Sequence, residues 1–264
     1  MLTFLLSAWR AGLRSRGIQG VLVLGVLLMG AAYLAAAFSP RAPQTVALDV
    51  GLSGLRFSLV LFALFWVQEL VGREIERRTV LFALTYPVPR GHYLLGRYCG
   101  VVGLLALAAL LLGLLLWLVV LNAGGGYAQS FAVAPGLPYW STVCGLWLDA
   151  VVVAAFALLL ACLSTVPMLP LALGLAFAVA GKSLGAVLEY LASGEDKSVA
   201  ALKPIVDAIA WVLPDLSRLD WRPWPMYGLP PDAGAVTAGL LMAAAYAGLL
   251  LTLAVLAFRR REFE

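Results

Sequence analysis

The residues most suggestive of chemistry are Gly181, Lys182 and Ser183, which end a stretch beginning at Ala176 and satisfy a relaxed phosphate-loop pattern. A working phosphate loop lies in water between a strand and a helix, so that its backbone amides face the phosphate. Here the preceding residues belong to an apolar segment, and alanine replaces the first glycine of the pattern. We therefore reject nucleotide binding. We expect Lys182 to extend outward, while Gly181 and Gly185 allow close helix contact.

Other candidate catalytic groups do not combine into a site. His92 is the only histidine, which excludes a multi-histidine metal site or a histidine pair. The paired carboxylates that acid–base chemistry needs do not converge on a plausible pocket. The cysteines lie in apolar segments without metal-ligand spacing and are expected to be small buried side chains: Cys99, Cys144 and Cys162. We expect no enzymatic activity, metal or cofactor on this chain.

Asp149 is the charged residue that most needs an explanation, because it lies inside an apolar segment. A carboxylate at such a position costs roughly 2.5–3.5 kcal/mol on insertion scales. Asp149 could line a substrate route, or it could pair with Arg56 or Lys182 at a similar depth. We favour the structural pair.

Composition places the chain in the membrane. Of 264 residues, 63% are hydrophobic and only 12% are charged, about half the charged fraction of soluble domains, and the mean hydropathy is +0.97. The net charge of +4 comes from short basic clusters beside apolar spans. Such clusters determine membrane topology and do not indicate nucleic-acid binding. The chain is predicted to be an all-α membrane protein.

Six segments reach the roughly 20 apolar residues that a bilayer span requires. They form one transmembrane domain over residues 1–264, without a soluble domain or a long internal repeat. The predicted spans are Ile18–Phe38, Leu52–Val71, Tyr98–Leu121, Ser141–Leu163, Pro167–Leu188 and Ala233–Phe258.

The flanking basic residues predict the orientation. Eleven lie on the side that holds both termini and the loop after the second span: Arg10, Arg14, Arg16, Arg73, Arg77, Arg78, Arg90, Arg97, Arg259, Arg260 and Arg261. The other side has Arg41, Arg56 and five basic residues within 182–232, where seven acidic residues dilute them. By the positive-inside rule, both termini are cytoplasmic. We expect a multi-pass protein of the bacterial cytoplasmic (inner) membrane.

The first sixteen residues predict a helix at the membrane interface. Leucines and Trp9 approximate one helical face, while Arg10, Arg14 and Arg16 can reach lipid headgroups. The alternatives are a topology signal or a cleaved signal peptide. Cleavage is disfavoured, because the apolar run of about 20 residues exceeds the 7–15 of a signal peptide.

Charged pairs predict that the second helix continues beyond the bilayer. Glu69 precedes Arg73 by four residues, and Glu74 precedes Arg78 by the same spacing. Such pairs support an exposed helix. A role in coupling to a partner protein is the alternative.

Within residues 73–97, Val80–Leu84 form an apolar turn that a simple connecting loop would not place in water. Pro87 lacks an amide donor and, with Pro89, should end the helix after Tyr86. An apolar turn on the cytoplasmic side predicts docking onto another protein.

Three short motifs succeed one another here: Glu-x-Glu-x-x-Thr at 74–79, Leu-Thr-Tyr-Pro-x-x-Arg-Gly at 84–91 and Leu-Leu-Gly-Arg at 94–97. The succession resembles the cytoplasmic loop of ABC-2-type transporter permeases, which carries the coupling helix that touches the ATPase subunit. The basic run around Trp9 also resembles the elbow helix of that family. The resemblance implies ATPase contacts by Glu74, Glu76, Thr79, Leu81, Phe82, Leu84, Tyr86, Pro87 and Arg90.

This resemblance implies the membrane subunit of an ATP-driven exporter. Two copies would form the pathway, as a homodimer or a heterodimer, with membrane lipid around them and a separate ATPase subunit that binds ATP and magnesium. A secondary transporter is one alternative, which predicts several buried ionisable residues near the midplane. A membrane scaffold for another complex is the second alternative.

Residues 189–232 form the predicted exoplasmic segment before the sixth span. Residues 203–213 alternate with helical periodicity, which predicts an amphipathic helix on the membrane surface, and short helices here fit the family resemblance. Trp221 and Trp224 are expected to anchor the segment at the interface rather than bind a ligand.

Overall fold

The computed structural model describes Trp9, Gly12 and residues 15–39, 41–76, 90–123, 132–164, 166, 168–193 and 203–260. Helix is the only regular structure found in these residues, and it includes one π turn and one 3₁₀ turn. The predicted all-α class is confirmed for this part of the chain.

The described helical elements follow one another along the chain in this order. The elements are α1 (Arg16–Ala37), α2 (Pro43–Val67), a π turn (Gln68–Gly72), α3 (Arg73–Glu76), α4 (Arg90–Asn122), α5 (Leu137–Leu163), α6 (Leu169–Ser193), α7 (Lys203–Val212), a 3₁₀ turn (Leu216–Leu219), α8 (Pro223–Tyr227) and α9 (Ala233–Arg260).

Six of these helical segments are long and apolar enough to cross a membrane. Among the described residues they are Ile18–Ala37, Pro43–Ile75, Gly91–Asn122, Leu137–Leu163, Leu169–Leu191 and Ala233–Arg260. The prediction of six helices with the length and apolarity of a span is confirmed for the described residues. The second and third are 33 and 32 residues long, or roughly 50 Å at the helical rise, which exceeds the hydrocarbon thickness.

Helices α2 and α4 run antiparallel. Glu74 at the end of α3 contacts Tyr93 at the start of α4, whereas Gln44 at the start of α2 donates to the carbonyl of Val120 near the end of α4. We call the end of the bundle next to residues 77–89 the loop end and the opposite end the far end.

Helices α2 and α5 form the centre of the bundle. The apolar window of the α2 span is 67% buried and that of α5 is 61% buried, whereas α9 reaches only 17%. Leu52, Leu55 and Leu59 of α2 are fully buried, as are Ala150 and Val153 of α5. The core therefore encloses the middle of α2 and α5, and large apolar side chains cover the outer helices, as a lipid environment requires.

Some predicted boundaries were wrong. The second helix begins at Pro43 rather than near Leu52, and α4 begins at Arg90 rather than near Tyr98. A hydropathy window finds the apolar part of a helix but not its polar extensions. Pro43 fits the first turn, where its missing amide leaves no bond unmade.

The predicted interfacial helix of residues 1–16 lies largely outside the described residues. Of its length, Trp9 and Gly12 are described as helical, and Trp9 is half-buried against Gly103 of α4. The predicted amphipathic helix at 203–213 is found as α7, with Ile209, Trp211 and Val212 exposed on its surface.

Candidate functional site

The long helix of α2 changes its winding close to the loop end. The π turn Gln68–Gly72 joins α2 to α3, the short helix that carries Glu74. A π turn adds one residue to a helical turn and occurs frequently at functional sites. The side-chain amide of Gln68, at the start of the π turn, packs against Gly72 at its end.

Glu74 joins the helices on both sides of residues 77–89. Its carboxylate accepts hydrogen bonds from the Tyr93 hydroxyl and from Nη2 of Arg97, both on α4. The Arg97 guanidinium also lies 5.6 Å from the centroid of the Tyr93 ring. We call Glu74, Tyr93 and Arg97 the clamp.

The clamp extends to the last helix. The Tyr93 ring stacks on Phe258 of α9, with centroids 6.0 Å apart and an interplanar angle of 20°. Tyr93 and Phe258 are fully buried, and Arg97 is 7% exposed. Charges and rings therefore hold α3, α4 and α9 together at the loop end, where the Glu74 side chain is 27% exposed and its partners Tyr93 and Arg97 are buried.

The predicted pair of Glu69 and Arg73 is confirmed, with Nη1 and Oε1 2.7 Å apart. Both side chains are substantially exposed, at 25% and 51%. Such a pair contributes little to stability. Arg78, the predicted partner of Glu74, lies outside the described residues.

Most of the predicted coupling residues cannot be placed. Glu76 ends α3 and Arg90 begins α4, but their side chains are outside the description. The others lie in the undescribed segment: Thr79, Leu81, Phe82, Leu84, Tyr86 and Pro87. Their contact with a partner stays a prediction.

Asp149 forms the predicted pair with Arg56. Nε of Arg56 lies 2.5 Å from Oδ2 of Asp149, and Nη2 donates to the carbonyl of Ala178 on α6 at 3.1 Å. The Asp149 side chain is 2% exposed. The pair joins α2, α5 and α6 halfway along each helix. The remaining oxygen, Oδ1, has no hydrogen-bond partner among the described residues.

Lys182 pairs with Asp220 rather than with Asp149 or the lipid headgroups. Asp220 lies between the 3₁₀ turn and α8 and also binds Nη2 of Arg222 at 2.7 Å. The expectation that Lys182 extends outward was wrong, because residues 213–227 fold back and bring a carboxylate to it. Gly181 and Gly185 likewise face this returning segment instead of a neighbouring long helix.

Arg222 carries the network on to α2. Its Nη1 donates to Oγ of Ser53 at 2.8 Å and lies 3.7 Å from Oδ1 of Asp49. Burial would raise the pKa of Asp220, but hydrogen bonds from Arg222 and the charge of Lys182 outweigh it and hold that pKa at about 2. The bond to Asp220 also raises the pKa of Arg222. Asp220 and Arg222 therefore stay charged at any physiological pH.

The expectation that Trp221 anchors its segment at the membrane interface was also wrong. It is 9% exposed, its Nε1 donates to the carbonyl of Arg218, and its own carbonyl accepts from Thr142 of α5. Trp221 is thus part of the bundle interior and not an interfacial anchor.

The sequence analysis missed the network around Asp220. One available signal was the spacing of Asp49, Ser53 and Arg56, which places three polar residues on one face of an apolar helix. Polar residues on one such face require partners. The spacing does not reveal that Arg222 and Asp220 supply them.

Within the described residues, no group of three or more histidine, cysteine or acidic side chains could hold a metal ion. No protein-family model matches this chain, and a search of curated proteins finds no significant match.

Proposed function

We propose that this chain is the membrane subunit of an ATP-driven exporter of the ABC-2 type. The observation that carries the proposal is the clamp. Glu74 is the first residue of the Glu-x-Glu-x-x-Thr motif and lies just before the segment 77–89, in the part of the chain that resembles a coupling helix. It is bound to Tyr93 and Arg97, which lie just after that segment. The resemblance supplies the family, and the clamp supplies a route from that segment into the bundle.

The proposed mechanism starts at a separate ATPase subunit that binds ATP and magnesium. Closure of two ATPase subunits pushes residues 77–89 of each permease copy. Because the clamp ties the two flanking helices together, a push on this segment moves α2 and α4 as one body. Helix α2 carries Arg56, so the movement reaches the buried pair with Asp149 and switches access between the two sides.

The same proposal includes the membrane placement. Residues 1–16 form the interfacial elbow helix, residues 73–97 carry the coupling helix, and α7, the 3₁₀ turn and α8 are exoplasmic. Both termini face the cytoplasm of a bacterial inner membrane, and two permease copies assemble, as a homodimer or with a related subunit.

Cysteine labelling tests this topology. Single cysteines at Ser130, Ser198 and Glu264 are introduced into a background without the native cysteines. In intact cells we expect an impermeant maleimide to label positions 130 and 198 and not position 264, because eleven basic residues favour the cytoplasm at the loop end. Labelling of position 264 before cell lysis contradicts the placement, and labelling after lysis is the control.

The Phe82→Asp/Leu84→Asp double variant tests the ATPase partner. An apolar anchor in a protein interface contributes on the order of 2 kcal/mol or more, so two buried charges should abolish association. We expect a folded, membrane-inserted permease that no longer co-purifies with vanadate-sensitive, magnesium-dependent ATP hydrolysis.

Met168→Asp is the matched control, because Met168 is an exposed apolar residue, 70% accessible, between α5 and α6 at the loop end. It should retain the ATPase. If the double variant keeps both normal membrane yield and the ATPase, the coupling assignment is wrong.

One observation favours a secondary transporter as the second candidate. Asp149 is not an isolated charge, because Arg56, Lys182 and Asp220 lie in the same network. Ionisable groups inside membranes mark ion and proton pathways. A secondary transporter functions without an ATPase, so the double variant would then complement a deletion of this gene as well as the native chain does.

A further inference from the structure

Residues 213–227, which we call the strap, enter the bundle at the far end instead of lying outside it. Leu216 and Leu219 are each 1% exposed, and Trp221 and Met226 are 9% and 5% exposed. A connection between helices normally runs over the surface, because its backbone needs hydrogen-bond partners. Because the strap is buried, the surrounding helices must leave room for its backbone and supply partners for its polar groups.

Glycines on three helices form that site, which we call the socket. A Cβ at Gly145 of α5 would collide with the carbonyl of Leu219. At Gly181 of α6 it would lie 2.8 Å from Leu216, and at Gly239 of α9 it would lie 3.1 Å from the carbonyl of Arg218. The absence of side chains lets irregular backbone approach the helices closely.

Ion pairs and hydrogen bonds also hold the strap to the helices, through residues 220–222. Asp220 pairs with Lys182 of α6, and Arg222 reaches Ser53 of α2. The Thr142 hydroxyl of α5 lies 3.1 Å from the carbonyl of Trp221. The strap thus binds α2, α5, α6 and α9 simultaneously, and these helices cannot separate at the far end while it is in place.

The strap also covers the buried charges. Arg56 binds the carbonyl of Ala178, which lies one helical turn before Lys182 on α6. Asp220 sits on Lys182, so the charged part of the strap closes the network on the far side of Asp149.

The connections on both sides of the strap allow it to move as a unit. Helix α7 before it exposes most of its residues. Gly228 after it has φ +68° and no heavy atom within 4 Å of a built Cβ, and the next residues up to Pro230 are exposed. Between these exposed connections, the strap is held by its own buried side chains, its ion pairs and its backbone contacts with the glycines.

We propose that the strap is the exoplasmic gate of the exporter, closed in this structure, and that it leaves the glycine socket when the far end opens. This inference rests on the proposed function. The strap releases Gly145, Gly181 and Gly239 together, while Lys182 and Arg222 exchange their contacts with Asp220 and Ser53 for water.

A reversible cross-link tests the gate. A Cβ built on Gly239 lies 3.6 Å from Cβ of Arg218, which is within the range of a disulfide. It also lies 3.1 Å from the Arg218 carbonyl, which must shift slightly, so the reduced double variant is the reference for ATP turnover. Arg218→Cys and Gly239→Cys are combined in a chain without its native cysteines. The purified complex with its ATPase is placed in nanodiscs of phosphatidylethanolamine and phosphatidylglycerol.

In the resting complex we expect efficient oxidation of this pair. Trapping with MgATP and orthovanadate should lower the cross-linking rate by about tenfold, because the strap has left the socket. Oxidation in the resting state should likewise reduce ATP turnover by about tenfold, and a reductant should restore it.

The control pair is Ala157→Cys and Gly174→Cys, which joins α5 to α6 away from the strap. A Cβ built on Gly174 lies 3.8 Å from Cβ of Ala157, and Cδ2 of Leu64, 2.3 Å from that Cβ, must move to make room for it. It should cross-link equally with and without vanadate and leave ATP turnover unchanged. Equal cross-linking of the strap pair in both states, or full ATP turnover after its oxidation, overturns the gate while the exporter proposal stands. A chain that binds no ATPase and does not respond to MgATP overturns both.

Discussion

Replacing Asp149 by leucine, a side chain of similar size, is expected to cause a large loss of folded protein, larger than other substitutions in the bundle that preserve side-chain volume. The carboxylate is 2% exposed and lies 2.5 Å from Arg56. Removing it strands a guanidinium between α2, α5 and α6, and breaking a buried pair costs on the order of 3–5 kcal/mol. The measurement is the yield of monodisperse protein and its unfolding temperature in detergent.

The Asp149→Leu/Arg56→Leu double variant should recover part of the loss, because it leaves no unpaired charge. Asp49→Asn is the matched control on the same network. Its carboxylate is 63% exposed and lies 3.7 Å from Arg222, so its loss should change the free energy of unfolding by less than about 1 kcal/mol.

A role of Asp149 in transport can also be distinguished from its contribution to the stability of the protein. If Asp149→Asn folds normally and abolishes ATP-dependent function, the residue lines the substrate route and the structural interpretation is wrong. If Asp149→Leu folds as well as the native chain, the pair with Arg56 does not hold the helices together. The unpartnered Oδ1 makes this experiment worthwhile, because it leaves one acceptor of the carboxylate available.

The long helices could be predicted because the membrane makes a local demand on sequence. Each span must satisfy its own backbone and present apolar side chains over its full thickness, so hydropathy alone located all six. Helix ends follow different rules. Between Arg90 and Tyr98, polar residues continue α4 because the clamp and the neighbouring helices accommodate them, and such tertiary support leaves no trace in a hydropathy window.

The two ion pairs of the polar network, Arg56 with Asp149 and Lys182 with Asp220, also differ in how far the sequence predicts them. A basic partner for Asp149 was predictable, with Arg56 and Lys182 as the two candidates, because a charge in an apolar helix has few available partners. The partner of Lys182 was not recognisable, because Asp220 lies in an irregular segment 38 residues away. Its position depends on the socket of Gly145, Gly181 and Gly239, whose spacing only becomes meaningful once three helices are packed.

Glu74→Gln is expected to loosen the loop end selectively. The substitution removes the charge that faces Arg97, which is 7% exposed, and weakens the acceptor of the Tyr93 hydroxyl. Hydrogen bonds to charged groups contribute roughly 1.5–3 kcal/mol, so the amides of residues 90–97 should exchange about tenfold or more faster with deuterated solvent. Amides in the middle of α5 should keep their protection.

Glu69→Gln provides a control five residues earlier in the same helical segment. Its partner Arg73 is 51% exposed, and such pairs contribute about 1 kcal/mol or less, so hydrogen exchange at 90–97 should not change. If the two variants behave alike, the clamp is no stronger than a surface pair and cannot transmit force from residues 77–89. If Glu74→Gln alone increases exchange and also uncouples ATP hydrolysis from the cross-linking response of the strap, a push at the loop end reaches the far end through α2 and α4.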